Sequence, residues 1–432
     1  MRSEWTVPLI MTLAFGILLL LLPGVPQSTP APLRTEDRAR PQPTIPEPPP
    51  SRSVQTLSYD PRHSPEPTGS DPQSKLWTHD GAWWASMVDA ESGEWRIHRH
   101  DSASDSWVDT GVLIDERGHA GSDALWDGTS LYVVSGGPKD YARDHLRLTR
   151  FRYEPTTRRF LPDAGFPVAI SANGVRDFTL AKDTTGRLWI AYIQGGWVQV
   201  NRTLGGDGQW GEAFVPPVEG TAVDDDQVAV VAYGSQVGLL WSNQEEDAFY
   251  FAARDDGAAE DVWHPTTTVL KGPGFADNHV NVTSDGRGQL YAAVKTSLGG
   301  LPASDPQAEQ VLLLTRDDQG EWRRHVVGLV ADRHTRPKVA IDIDHDVVYV
   351  LATAGDSPSA VYCKSAPFDR LVFPPGLGRP FITSQPGGRL TNATLTKQPV
   401  GASTGLMALA ADDSTGSYHH ATVPLVPGQR SC

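Results

Sequence analysis

The feature that most constrains this chain is a turn-plus-strand unit that returns seven times. A turn bearing Gly, Asp or Ser leads into a short apolar run at His79-Asp80-Gly81-Ala82-Trp83-Trp84, Asp127-Gly128-Thr129-Ser130-Leu131-Tyr132 and Thr185-Gly186-Arg187-Leu188-Trp189. It recurs at Gly234-Ser235-Gln236-Val237-Gly238, Gly286-Arg287-Gly288-Gln289-Leu290-Tyr291, His345-Asp346-Val347-Val348-Tyr349 and Ser403-Thr404-Gly405-Leu406-Met407. The copies lie roughly 48 to 58 residues apart, the spacing of propeller blades. A strand-like run precedes each copy, as at Arg176-Asp177-Phe178-Thr179-Leu180, and two more follow it, the last carrying residues such as Trp107, Trp210, Trp263 or Trp322. Second-strand runs such as Leu239-Leu240-Trp241 and Ala292-Ala293-Val294 are apolar throughout, as expected of strands covered on both faces.

These observations predict an all-β fold, a seven-bladed β-propeller of four-stranded antiparallel blades spanning 74–432. With 41 Gly, 35 Pro and 13 Trp, the composition suits many short strands joined by tight turns. The last unit, from Leu390 to about Val426, has room for three strands, so closure is expected to borrow one from around Val54 to Tyr59.

Ahead of the repeats, the apolar stretch from Val7 to Leu22 reads as the hydrophobic helix of a signal peptide or signal anchor within 1–25. Residues 26–73 are dense in Pro, Ser, Thr and Glu and read as a disordered linker. The expected location is therefore extracellular or at the cell surface, with membrane contact through the N-terminal segment if it is uncleaved, and the expected state is a monomer. A formal net charge of −15 argues against a nucleic-acid partner. Cys363 and Cys432 either pair in an oxidising exterior or remain two separate thiols. No metal-ligand spacing is present in the sequence, and no cofactor is expected. Asp224-Asp225-Asp226 suits Ca²⁺ by donor type, although a solvated turn explains it more simply.

The turns at Asp318-Gln319-Gly320-Glu321-Trp322 and Asp207-Gly208-Gln209-Trp210 are similar to the Asp box, and the chain from about 74 to 428 resembles exported bacterial propellers of the BNR or sialidase-like type, whose activity is generally unassigned. The resemblance also rests on Ser122 to Gly128, Asp277-Asn278-His279-Val280-Asn281, His334-Thr335-Arg336-Pro337 and Asn392 to Gln398. Sialidases of this type carry an arginine triad, a Tyr-Glu nucleophile pair and an F/Y-R-I-P motif on six blades. The nearest string, Trp95-Arg96-Ile97-His98, lacks the Pro, and the repeat count is seven, so an enzyme of this kind would be a glycoside hydrolase or polysaccharide lyase and not a classical sialidase.

In a propeller the innermost strands line the channel, and the loops leading into them form its mouth. The polar residues at those positions are Asp123, Asp177, Asp226, His279, Asn281, His334, Arg336, Asn392 and Lys397. Their mixture of carboxylates, amides, imidazoles and a guanidinium suits a carbohydrate bound at the channel mouth, with Arg336 forking onto a carboxylate and Trp faces stacking on sugar rings. If the glycan is also cleaved, His279, His334 and Arg336 are the catalytic candidates. The alternative is a non-enzymatic envelope scaffold for protein-protein interaction.

Overall fold

A computed structural model describes residues 53–138, 141–428 and 432. The N-terminal hydrophobic segment and most of the linker lie outside them. The described chain forms seven antiparallel sheets arranged as propeller blades. Blade 1 begins at Leu76, blade 2 at Gly121, blade 3 at Arg176, blade 4 at Val228, blade 5 at Val280, blade 6 at Thr335 and blade 7 at Leu390, each first strand being the innermost. Five blades have four strands. In blade 2 the outer position is divided between Arg159–Pro162 and Val168–Ala169, and blade 3 stops at three strands, with bridges to Trp210, Phe214 and Ala222 in place of a fourth.

The hydrophobic core is divided among the seams between neighbouring blades. Trp84, Ile97, Leu131 and Phe160 fill the seam of blades 1 and 2, and Trp189, Val230, Leu239 and Trp241 that of blades 3 and 4. A middle strand therefore has a seam on each face, which explains the unbroken apolar runs. Five tryptophans are wholly consumed here: Trp77, Trp84, Trp95, Trp189 and Trp241 are fully buried.

The Asp-box geometry appears most fully on a first hairpin and not at the third-to-fourth turns. Asp183 Oδ1 accepts the backbone N–H of Thr185 and of Arg187, both at 2.9 Å, while Asp183 Oδ2 accepts the Trp189 indole N–H at 2.9 Å. Asp317, not Asp318, caps the turn before Trp322, and Asp207 instead binds Tyr132 and Arg150 of blade 2.

Blade 7 is closed by the N-terminal strand Val54–Ser58, which pairs antiparallel with Ser417–Val423. This places the chain at the rim of blade 7, whereas the next strand is the innermost of blade 1. Crossing three strand spacings takes roughly 14 Å, and Tyr59 to Lys75 holds enough chain for more than roughly 50 Å. The surplus dips into the channel. Thr68, Asp71, Gln73 and Lys75 are buried there, so the stretch 54–73, read from its composition as linker, is packed structure. Its Pro-rich, polar composition gives no apolar period because polar contacts hold it. Cys363 of blade 6 and Cys432 form a disulfide.

Candidate functional site

The innermost strands first satisfy one another. Asp123 Oδ1 accepts the N–H of Ser74 at 2.8 Å and its Oδ2 that of Leu180 at 2.7 Å. Thr179 accepts from Val230, Gln227 from Val280, Asn281 from Val339 and Thr394 from Lys75, at 2.8 to 3.2 Å. Polar side chains of one blade thus latch the backbone of its neighbour around most of the ring. Asp123 and Asn281 have this structural task, and Lys397 supports it by pairing with Asp123 and donating to the Leu180 carbonyl at 2.6 Å. Lys397 and Pro72 line a cavity of about 250 Å³ with the strands of blades 3, 4 and 5, on the far side of the plug.

The plug occupies the centre of the ring. Asp71 Oδ1 accepts from Asn392 Nδ2 at 2.8 Å, and its carbonyl accepts from Asn281 Nδ2 at 2.9 Å and from Lys338 Nζ. Its Oδ2 lies 3.7 Å from His279 Nε2. The other nitrogen of His279 bonds Asp277, which also pairs with Lys295 and accepts from Ser297 at 3.0 Å. Burial pushes the Lys75 ammonium down to about 7 and that of Lys338 down to about 8. Lys75 nevertheless donates to Gly69, Gln73 and Ser122 at 2.9 to 3.1 Å.

Blades 3, 6 and 7 break register at equivalent places on their first strands, between Arg176 and Thr179, Thr335 and Lys338, and Leu390 and Ala393. The bulges carry Asp177, Arg336 and Asn392. Such irregularities re-aim a side chain, and Asp177 (φ 48°) and Arg336 (φ 55°) hold left-handed backbone that non-glycine residues seldom adopt. Asp177 accepts from Ser70 of the plug at 2.9 Å, matching the bond of Asn392 to Asp71. Arg336, half-buried, has no hydrogen-bond or ion-pair partner among the described residues.

Two expected members leave the group. His334 is buried in blade 6 with Nε2 3.0 Å from the Leu377 carbonyl and its ring near Tyr362, facing outer strands and not the channel; burial holds its pKa low. His334 stands between the left-handed residue Arg333, which ends the turn Val330–Asp332, and the first residue of the strand, Thr335. Asp226 is also buried, accepting the N–H of Gln244 at 3.1 Å, while Asp225 pairs with Arg176, so the three carboxylates do not converge on one cation.

The open concavity lies at the face where the first strands begin. It is a cleft of about 400 Å³ between the plug and blades 2 and 3, lined by Glu66, Ser70, Lys75, His119, Arg176, Asp177 and Phe178 among others. Burial pushes the Asp177 carboxyl up to about 6 against the opposing bond from Ser70 and the charge of Arg176. Of the ring residues, only Asp177 lines this cleft. Arg176 and Trp197 were missed by sequence reasoning. Trp197 sits on the second-to-third hairpin of blade 3, at the same face, and is 46% exposed, the one tryptophan among the exposed large hydrophobics described. Its Gly195-Gly196-Trp197 turn was the available signal.

No protein-family model matches the sequence, and no curated protein matches it significantly. By fold, the chain is similar to a polysaccharide lyase described as a PL25 ulvan lyase, with a TM-score of 0.53, 9% identity, and coverage of 85% of this chain and 95% of that one. It is also similar to the polysaccharide lyase Uly1 (TM-score 0.46, 11% identity, 82% and 90% covered) and to a variant of the NanB sialidase from Streptococcus pneumoniae (TM-score 0.35, 9% identity, 69% and 52% covered). At these identities the likeness is one of fold. Fold and site together define a seven-bladed propeller whose channel is filled by the segment that precedes its first blade and whose open cleft lies beside that segment.

Proposed function

We propose that the protein is an exported carbohydrate-binding propeller that holds its ligand in the cleft between the plug and blades 2 and 3. The observation that carries the reading is the pairing of this polar cleft with an exposed Trp197 at the same face. A sugar ring presents an apolar face to an indole and hydroxyls to Arg176, Asp177 and His119. The cleft volume falls within the range of small-ligand sites. Arg336, across the ring on blade 6, gives a longer acidic glycan a guanidinium free to take a carboxylate. Similarity of fold to polysaccharide lyases agrees with this substrate class.

Binding without turnover fits the geometry better than cleavage. His279 is oriented by Asp277 as a general base would be, but Asp71 of the plug stands at its other nitrogen, where a sugar would have to sit. Support for export comes from the apolar N-terminal run and from the disulfide, a bond characteristic of oxidising compartments. The Asp183 turn supports kinship with Asp-box propellers.

A glycan array followed by calorimetry tests the reading. A polysaccharide should bind the full chain, Trp197→Ala should weaken it by roughly 1–3 kcal/mol as expected for loss of a buried aromatic contact, and Arg336→Ala should weaken acidic ligands selectively. Silence across neutral and acidic polysaccharides, or binding indifferent to Trp197, would remove the proposal.

A further inference from the structure

A cluster outside the cleft joins the two ends of the ring. His100 lies on the third strand of blade 1, Asp105 on the hairpin that follows it, and His420 on the third strand of blade 7, next to the closing strand Val54–Ser58. Asp105 Oδ1 is 3.2 Å from His100 Nε2 and 3.1 Å from His420 Nε2. Both imidazoles are sequestered, with side chains 8% and 1% exposed, whereas the Asp105 side chain is 40% exposed.

Hydrogen bonding alone does not account for this arrangement. His420 makes a satisfactory bond to Asp105, yet the buried Nε2 of His100, aimed at the same oxygen, has no hydrogen-bond partner of acceptable geometry. A buried polar atom left in that state is costly. The three donor atoms lie within 4.8 Å of one another. Zinc bonds of about 2.0–2.1 Å to nitrogen and oxygen give a tetrahedron whose edges are roughly 3.3–3.4 Å, close to the two spacings observed. Two nitrogen donors and one carboxylate select a borderline transition metal over Ca²⁺ or Mg²⁺, which prefer oxygen. The exposed side of Asp105 leaves the fourth position to water.

We propose that His100, Asp105 and His420 form a Zn²⁺ site that staples blade 7 to blade 1. Bound metal ties the seam where the last blade meets the first, and it stabilises the folded state by mass action.

The full chain, stripped with EDTA, is titrated with ZnCl₂ by calorimetry and melted with and without the ion. One equivalent should bind and raise the melting midpoint by several degrees, reversibly on adding EDTA; Co²⁺ should give the visible bands of an imidazole-ligated ion. Asp105→Asn removes the charge at an exposed turn where Asn tolerates the left-handed backbone (φ 51°), and should weaken Zn²⁺ by roughly tenfold or more, since even ligand-orienting partners are worth that much. His420→Gln should do the same, and if that variant does not fold, Asp105→Asn decides alone. Absence of saturable binding overturns the proposal, as does affinity unchanged in Asp105→Asn, which would place the ion elsewhere, for example at the exposed His264–Asp255 pair.

Discussion

Asp177 shows how one residue carries both strain and charge at the face of the ring. Its carboxyl is buried, 16% exposed by side chain, and titrates at about 6, above the ordinary aspartate range near 4. A raised acid binds its proton more tightly in the folded state. Its contribution to stability is therefore complete below about pH 4 and is lost as pH rises through about 6. Asp177→Asn keeps an acceptor for Ser70 and tolerates the left-handed backbone while removing the ionisation cost. We expect it to stabilise the protein by on the order of 2 kcal/mol at about pH 7 and to leave stability nearly unchanged at about pH 4. Urea denaturation at the two values checks this; an equal effect at both would show that the charge is not the cause. The position was legible in the sequence as a polar residue on an inner strand, but its environment was not, because Ser70 lies in a segment with no pattern to read.

Among the elements, the plug departs furthest from expectation and the strands depart least. Blade strands are legible because glycine turns and apolar runs are local features, repeated at a fixed interval. Even the closing strand at Val54–Ser58 follows from counting three strands in the last unit. The plug is held by pairs such as Asp71 with Asn392 and Thr68 with Ala411, more than 300 positions apart and all polar, so no local periodicity announces it. His334 was misplaced for a related reason: one left-handed residue, Arg333, directs the chain into the strand, and a residue beside such a turn can face either way. Asp71 is the pivot of the plug, facing Lys338, His279 and Asn392. Its removal leaves the buried Lys338 ammonium without its carboxylate, and uncompensated buried charge typically costs 3–5 kcal/mol. Asp71→Ala should destabilise by about that amount, whereas Asp71→Asn, which retains the acceptor for Asn392, should cost less. Equal losses in chemical denaturation would assign the effect to the lost charge alone and not to packing or the acceptor for Asn392.

At the scale of the whole molecule, the problem a propeller must solve is closure, since its last blade must be held against its first. Here closure is distributed over several devices on one side of the ring. Val54–Ser58 completes blade 7, Ser74 and Lys75 bond Leu395 and Thr394 beside the first strand of blade 1, and Trp83 donates to the Thr404 carbonyl at 3.0 Å. The disulfide adds a covalent tie between blade 6 and the end of the chain, spanning 69 residues that include all three C-terminal strands of blade 7. Closing a loop of about that length removes roughly 4 kcal/mol of chain entropy from the unfolded state in the simplest model, and native disulfides typically contribute 2–5 kcal/mol. Cys432→Ser should therefore lower unfolding stability by about 2–4 kcal/mol, with the loss centred on blade 7, because Cys363 lies in the core cluster that blade 7 shares with its two neighbours. Hydrogen exchange locates the effect: amides of Leu406–Asp412 and Ser417–Val423 should lose protection ahead of those in blades 2 to 4. Uniform loss across all seven blades would mean that the ring opens as a single cooperative unit and that blade 7 is no weaker than the rest.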